Sequence, residues 1–171
     1  IKDYTEKQWG RKCKELSQSL IERIPLRFEF NNNYFSDQFQ GVPVKGYTYL
    51  ISKMLKDVPI MLNKTYAEFK EEFSYIGAGK VIYTGAIDEY YNYRFGKLEY
   101  RSLLWDEKIA EQGCAVVNYT SKENPYTRSI EHKWFMGSSD LPAYTSFEKP
   151  VEWEPGLERY YPVGTEENLK L

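Results

Sequence analysis

The sequence predicts an α+β protein, and three features of its 171 residues carry that prediction. Near the start of the chain, apolar residues recur at the three-and-four spacing of a helix. In the middle, a second helical pattern is followed by short apolar runs of the kind that form buried strands. From Leu98 onward, strand-length segments rich in aromatic and β-branched residues alternate with turn signals. We therefore expect short N-terminal helices, a partial α/β segment and a mostly antiparallel β-sheet.

The first segment, residues 5–24, is predicted to form two short helices or one kinked helix. Its apolar face consists of residues three and four apart: Trp9, Cys13, Leu16, Leu20 and Ile24. Thr5 and Gln8 match a capping box. Gly10 is expected to interrupt the helix, because glycine costs about 1 kcal/mol in a helix interior. Pro25 is expected to end the segment.

The middle of the chain opens with "QGVPVKGYTYLISKML", residues 40–55, where a glycine turn leads into an amphipathic helix over residues 47–56. The predicted inner face of this helix is Tyr47, Leu50, Ile51, Met54 and Leu55. Two apolar runs, residues 59–63 and 80–85, are predicted to be buried strands. This order is typical of a nucleotide-binding α/β domain, yet no glycine-rich phosphate-binding fingerprint precedes it in the sequence.

The last part of the chain is predicted to be a meander of antiparallel strands. Four segments have the length and composition of strands, and turn signals such as "KENP" and "GSSDLP" separate them. These segments are residues 98–109, 114–121, 126–135 and 143–153.

The charge and hydropathy of the chain restrict its partners. A formal net charge of -2 and a pI near 5.6 give no general attraction to nucleic acid or to an anionic membrane, so bound anions must be held by individually placed arginines. No apolar run approaches the roughly 20 residues of a membrane span, and no leader sequence is present, so we expect a cytoplasmic protein. The start at Ile1, directly in helix-like sequence, suggests a fragment.

The cysteines and the histidine give weak signals of chemistry. Cys13 and Cys114 lie far apart without the spacing of metal ligands, and one histidine cannot build a zinc site. We therefore expect reduced, buried thiols and no metal. His132 follows Glu131 and could act as a general base, although the sequence places no nucleophile near it.

Tyrosines stand beside arginine or asparagine in "NNNYF", "EYRS", "NPYTR" and "ERYYP". Aromatic rings stack on uracil or sugar faces while guanidinium groups bind phosphate oxygens in pairs, so this pattern suits a sugar-nucleotide site. The alternative is that the rings simply fill one face of a sheet. Arg101 and Arg128 lie inside predicted strands, and a buried guanidinium needs a ligand or an acid. For these two the acid would be Glu99 or Glu131.

Six segments together resemble the prokaryotic UDP-galactopyranose mutases over essentially the whole chain, in the same order and with nearly the same spacing. They are "YTEKQWGRKCKEL", "RIPLRFEFNNNYFSDQFQGVPVKGYT", "VIYTGAIDEYYNYRFGKLEYRSL", "QGCAVVNY", "NPYTRSIEHKWF" and "RYYPV". The resemblance implies an FAD-dependent isomerase that interconverts UDP-galactopyranose and UDP-galactofuranose through an adduct of reduced flavin and the sugar. It further implies a homodimeric full-length enzyme that serves cell-wall and lipopolysaccharide biosynthesis.

The resemblance also implies an internal fragment that lacks the N-terminal FAD-binding fingerprint and the C-terminal segment and has no activity alone. Residues 1–36 would be the end of a helical domain with a mobile substrate loop, residues 37–95 a returning segment of the flavin domain, and residues 96–171 the substrate-binding sheet. Ala86 and Cys114 depart from the family pattern and remove a rigid turn residue and a polar group.

Carried over residue by residue, the resemblance assigns Arg23 and Arg128 a catalytic role, the stabilisation of negative charge on the departing diphosphate. Tyr4 is implied to stack on uracil. Thr84 and Gly85 are implied contacts of the cofactor. The implied substrate-binding residues are Tyr4, Thr5, Trp9, Arg23, Tyr34, Arg101, Asn118, Arg128 and Tyr161. Since reduced flavin supplies the chemistry, no acid, base or nucleophile of the protein is implied.

Two other functions stay open. The chain could be a non-catalytic β module that binds carbohydrate or a nucleotide sugar, or a structural interaction domain. A glycine-rich G-x-G-x-x-G sequence in the upstream reading frame would favour the flavoenzyme.

Overall fold

A computed structural model describes residues 1–22, 27–31, 35–73, 80–137 and 140–170. The chain packs into two units. The first, here the sheet region, comprises Ile1–Phe39 and Asp88–Leu171, and the second, here the middle region, comprises Gln40–Ile87. The mixture of helices with an antiparallel sheet confirms the predicted α+β class. The domain boundaries implied by the resemblance stay a prediction.

The N-terminal segment forms helix α1 (Lys2–Trp9), a 3₁₀ turn (Cys13–Glu15) and helix α2 (Ser19–Glu22). The predicted interruption at Gly10 is confirmed, because this residue adopts a left-handed φ of 65° that glycine tolerates. The predicted capping box was wrong. Helix α1 begins three residues earlier, so Thr5 lies inside it and donates its backbone N–H to Ile1. Pro25 lies outside the described residues.

The described part of the sheet region contains five antiparallel strands in the order β2-β3-β4-β1-β5. They are β1 (Tyr100–Ile109), β2 (Val116–Asn118), β3 (Arg128–Glu131), β4 (Tyr144–Glu152) and β5 (Tyr161–Pro162). The first four lie within the predicted segments, but the sheet is not a simple meander. Strand β4 pairs with β1, nine residue pairs long, so β1 lies beyond β4 and not beside β2. This order is that of a Greek key.

Two further helices complete the sheet region's described part. Helix α5 spans Ile87–Tyr90, and all of its residues after Ile87 belong to this region; helix α6 spans Glu166–Lys170. Among the described residues, the buried apolar side chains are Trp9, Tyr100, Leu103 and Val163. The other buried side chains described there are polar, and burial of a polar group is tolerated when it has a hydrogen-bonding partner.

The middle region contains helices α3 (Gly46–Met54) and α4 (Tyr66–Glu72). The capping box at the start of α4 joins Thr65 to Glu68. The two predicted strands, residues 59–63 and 80–85, were wrong: among the described residues neither run pairs with a neighbour. A strand needs such a neighbour for its backbone groups, and an apolar run in the sequence does not supply one.

The predicted inner face of the first middle-region helix is mostly exposed. Leu55 is half-buried, whereas the other four predicted residues, Tyr47, Leu50, Ile51 and Met54, are exposed. None of the helices in the described part of the chain is long and apolar enough to cross a membrane.

Candidate functional site

Helix α1 presents three residues of the predicted site. Thr5 and Trp9 are buried, with 5% of each side chain exposed, while Tyr4 is half-buried. The ring of Trp9 lies 5.9 Å from the ring of Tyr161 on strand β5, at a tilt of 59°. Tyr161 in turn lies opposite Arg101 on strand β1. The fold therefore brings together Trp9, Tyr161 and Arg101, which are separated by up to 152 positions in the sequence.

Arg101 lies beneath the end of helix α1. It is 5% exposed, and its Nε donates a hydrogen bond to the carbonyl of Gln8 at 3.2 Å. A Cβ atom at Gly10 would lie 2.7 Å from Nη1 of Arg101, so a larger residue there would displace the guanidinium. Burial lowers the pKa of Arg101, opposed by nearby carboxylates. The expected pairing with Glu99 was wrong, because Glu99 pairs with Arg11 at 2.7 Å. A cation at this position also complements the negative end of the helix dipole.

Arg128 begins strand β3, between Asn118 on β2 and Glu148 on β4. Its Nε lies 3.1 Å from Oε2 of Glu148, without the alignment of a hydrogen bond. The carboxylate is buried and accepts a 2.6 Å hydrogen bond from Oγ1 of Thr127. About a third of the Arg128 side chain, 32%, is exposed, so its remaining N–H groups can reach an anion from solvent. The acid is Glu148, and the expected pairing of Arg128 with Glu131 was wrong.

Glu131 is instead the centre of a buried network. It is fully buried and accepts the backbone N–H groups of Gln112 at 2.8 Å and Gly113 at 3.1 Å, and it lies 3.1 Å from the Lys133 ammonium. Burial raises the pKa of Glu131, but these donors outweigh burial and lower the pKa to about 2. The carboxylate is therefore ionised at neutral pH and fixes the start of the β1 to β2 connection.

His132 pairs with a hydroxyl and not with the carboxylate beside it in sequence. Its Nε2 lies 2.7 Å from Oγ of Ser146 on strand β4. The general-base pair of His132 with Glu131 is thus not formed. Both cysteines are free thiols, as expected, but neither is buried: Cys13 is half-buried and Cys114 is exposed.

Thr84 and Gly85, the implied cofactor contacts, lie in the middle region and line a pocket of about 340 Å³. The rings of Tyr66 and Tyr83 lie 5.5 Å apart at this pocket. A Cβ atom at Gly85 would clash with the Tyr83 hydroxyl, so a larger residue here would require the Tyr83 ring to move. The other two predicted site residues, Arg23 and Tyr34, lie outside the described residues.

Two polar contacts of the sheet region were not predicted from the sequence. The hydroxyl of Tyr100 donates to Oδ1 of Asp88 at 3.0 Å, and burial together with Asp88 raises the pKa of Tyr100 to about 12. The ammonium of Lys7 donates to backbone carbonyls more than 110 positions away. The sequence carries no signal for either contact, because both depend on the packing of distant segments.

Comparisons of the sequence with known proteins indicate the family of this chain. A sequence model of the family described as UDP-galactopyranose mutase matches residues 1–171. A probable UDP-galactopyranose mutase of Klebsiella pneumoniae is 40% identical over 79% of this chain and 35% of its own length. A dTDP-fucopyranose mutase of Escherichia coli is 40% identical over 77% of this chain and 37% of its own length. A UDP-galactopyranose mutase of Mycoplasma genitalium is 31% identical over 99% of this chain and 46% of its own length. The chain spans between about a third and a half of the length of these relatives.

Proposed function

The chain belongs to the UDP-galactopyranose mutase family, and we propose that it supplies the nucleotide-sugar side of an FAD-dependent isomerase. The reaction is the interconversion of UDP-galactopyranose and UDP-galactofuranose. The observation that carries this proposal is the family match over the whole chain, 1–171. From the family resemblance we extend the proposal to a cytoplasmic homodimer whose product enters cell-surface glycans of the cell wall or lipopolysaccharide.

The arrangement around helix α1 suits a uridine diphosphate. Tyr4 is half-buried on helix α1, and we propose that its ring stacks on uracil. Thr5 and Trp9 lie on the same helix and are buried. We propose that the full set of substrate contacts is Tyr4, Thr5, Trp9, Arg23, Tyr34, Arg101, Asn118, Arg128 and Tyr161.

Arg128 is placed to stabilise the leaving group. When the bond between the sugar and UDP breaks, negative charge grows on the diphosphate, and a fixed cation in a water-poor site lowers the barrier. The buried carboxylate of Glu148 holds one edge of the guanidinium, and the exposed part is left for the phosphate. We assign Arg23 the same role. The chain's own residues then bind and orient UDP while they need not move a proton.

Reduced flavin, when bound, supplies the electron-rich nucleophile of the reaction. The residues present fit one edge of such a group, because Thr84 and Gly85 line a pocket beside the paired rings of Tyr66 and Tyr83. At about 340 Å³ this pocket is at the small end for ligand sites. We therefore propose that Thr84 and Gly85 contact the cofactor while its main binding motif lies elsewhere.

A second substrate pair has support of its own. The Escherichia coli relative named dTDP-fucopyranose mutase is as similar to this chain as the Klebsiella pneumoniae relative is, at 40% identity. Thymine differs from uracil by a methyl group, and deoxyribose from ribose by a hydroxyl. Both differences fall on the part of the ligand that Tyr4 and Thr5 are proposed to contact.

The test uses the complete gene product, loaded with FAD and chemically reduced. UDP-galactofuranose and the dTDP-fucose pair are offered separately, and the isomers are separated by liquid chromatography. We expect conversion of the UDP sugar, and faster conversion of the dTDP sugar would transfer the assignment to the second candidate. Tight binding of UDP without conversion of either sugar would identify a non-catalytic nucleotide-sugar module. The isolated chain is expected to be inactive.

A further inference from the structure

The ammonium group of Lys7 lies at the centre of four backbone carbonyls. Its Nζ donates to oxygens at 2.6 to 2.9 Å. All four belong to the connection between strands β2 and β3, residues 119–127, here the β2–β3 loop. The four carbonyls, here the carbonyl cluster, are those of Tyr119, Ser121, Asn124 and Tyr126. One side chain of helix α1 thereby fixes most of a loop more than 110 positions away in sequence.

The loop needs this cation. An ammonium group has three N–H donors, and here four acceptors share them. Four carbonyl dipoles that point their negative ends at one place repel one another unless a positive charge lies between them. Burial of the ammonium lowers the pKa of Lys7, as expected for a group partly withdrawn from water. The acceptors in this contact are backbone carbonyls. Substituting a side chain of the loop would therefore not remove the contact, whereas substituting Lys7 would.

A second link between the same elements is weaker. Lys122 of the β2–β3 loop contacts Glu6 and lies 3.6 Å from Asp3, both on helix α1. About half of the Lys122 side chain, 52%, is exposed, and exposed ion pairs contribute little. Of these two links, the Lys7 contact is therefore the stronger one.

The two elements that Lys7 joins carry the two halves of the proposed ligand site. Helix α1 carries Tyr4, assigned to uracil. The β2–β3 loop connects Asn118, the last residue of β2, to Arg128, the first residue of β3. We propose that Lys7 is a positioning residue, whose contact with the carbonyl cluster holds the base-binding helix at a fixed distance from the strands that bind the diphosphate. This inference rests on the proposed function of the site.

The distance between the halves matters only for a ligand that spans both. UDP reaches from the base to the second phosphate, whereas UMP lacks this outer half of the diphosphate that Arg128 is proposed to bind. Loss of the contact between Lys7 and the loop should therefore weaken the binding of UDP more than the binding of UMP. A ligand held at two points binds tightly only when both points are correctly spaced.

The experiment measures inhibition constants of UDP and UMP for the FAD-loaded complete gene product. For Lys7→Met, which keeps the length of the side chain and removes its charge, we expect the UDP constant to rise about tenfold and the UMP constant less than about threefold. Lys2→Met, on the same helix, is the control and should leave both constants unchanged. If Lys7→Met does not fold, Lys7→Gln, with fewer donors and a shorter reach, is measured by the same ratio.

Three results would overturn the inference. Equal losses for UDP and UMP would show a general structural role, and unchanged constants would show no role. A wild-type protein that binds neither nucleotide and converts no sugar would disprove the proposed function itself, and the inference would fall with it. That last result appears before any variant is made, so the two failures are distinguishable.

Discussion

The two regions of the chain differ in what they bury. Among its described residues, the sheet region buries eleven polar or charged side chains beside four apolar ones. In the described part of the middle region no side chain is buried, and apolar groups such as Leu62, Ile82 and Met54 are exposed by 81%, 89% and 69%. The contrast is not one of composition, because the middle region is rich in apolar residues. The regions differ in whether their apolar side chains are packed away from solvent.

The sheet region shows why polar burial is tolerated there. Ser129 donates to the side chain of Gln112 at 2.6 Å, and Thr145 donates to the carbonyl of Ala110 at 2.6 Å. Ser102 donates to a carbonyl as well. Such paired groups specify one arrangement of the strands, since any other would leave a donor or acceptor unsatisfied. Substitutions in this region should therefore be costly, and equivalent substitutions in the middle region should not.

The largest expected difference is between two leucines. Leu103, on β1, is 8% exposed, and Leu62, in the middle region, is 81% exposed. Leu103→Ala should lower the free energy of unfolding by about 3 kcal/mol, because it removes buried apolar surface and leaves a cavity. Leu62→Ala should change the same quantity by less than about 0.5 kcal/mol. Urea unfolding of both variants measures the difference, and equal costs would contradict the contrast between the regions.

The next effect concerns activity. Arg128→Ala in the complete gene product should lower kcat by about 100-fold, by analogy with the removal of one charge-stabilising donor. The exposed Lys149 on β4 provides the control, since Lys149→Ala removes a positive charge from the same sheet and should leave kcat unchanged. Steady-state kinetics with the UDP sugar measures both. An unchanged kcat for Arg128→Ala would show that Arg128 does not stabilise the departing diphosphate.

The third effect compares two carboxylates. Glu131 is fully buried, accepts two backbone hydrogen bonds and pairs with the Lys133 ammonium, whereas Glu72 in the middle region pairs with Lys64 and is half exposed. Glu131→Gln should lower Tm by roughly 5 °C or more, because donors arranged for a charge then face a neutral amide. Glu72→Gln should lower Tm by less than about 1 °C. Thermal unfolding followed by circular dichroism measures both Tm values. Equal decreases in Tm for the two variants would contradict the contrast between the regions.

The pH dependence of the Glu131 effect has a definite sign. Folding lowers the pKa of Glu131 from 4.5 to about 2, so the ionised carboxylate contributes its full stabilisation above pH 4.5. That contribution is lost as the pH falls from 4.5 toward 2. The Tm difference between the wild-type protein and Glu131→Gln should therefore narrow over this window. A constant difference across the window would show that Glu131 is not held as the ionised form.

Much of the fold could be predicted because it depends on local signals. Gly10 marks the end of helix α1, and β-branched and aromatic runs mark strands β1 to β4. The order of the strands could not be predicted, because it depends on which edges meet. The runs at 59–63 and 80–85 were misinterpreted for the same reason: the period of a strand is visible in sequence, but its partner is not.

The site divides in the same way. Arg101 and Arg128 could be selected because they lie inside predicted strands, yet their partners could not. The Gln8 carbonyl depends on how helix α1 packs on the sheet, and Glu148 depends on the register of β3 and β4. Lys7 could not be selected at all. Its acceptors are backbone carbonyls, which every residue has, so no residue type in the loop marks the contact.

The smallest effect isolates the contact beneath helix α1. Gly10 and Gly46 both have left-handed φ angles, 65° and 80°, and Ala at either position should cost about 1 kcal/mol for the backbone alone. A Cβ atom at Gly46, in the middle region, would meet nothing within 4 Å, whereas one at Gly10 would press on the Arg101 guanidinium. Gly10→Ala should therefore cost about 1 kcal/mol more than Gly46→Ala in urea unfolding, since the buried Arg101 side chain has to move. Equal losses of unfolding free energy would mean that the Arg101 side chain can move without cost. The difference between the tightly packed sheet region and the exposed middle region would then not include the contact beneath helix α1.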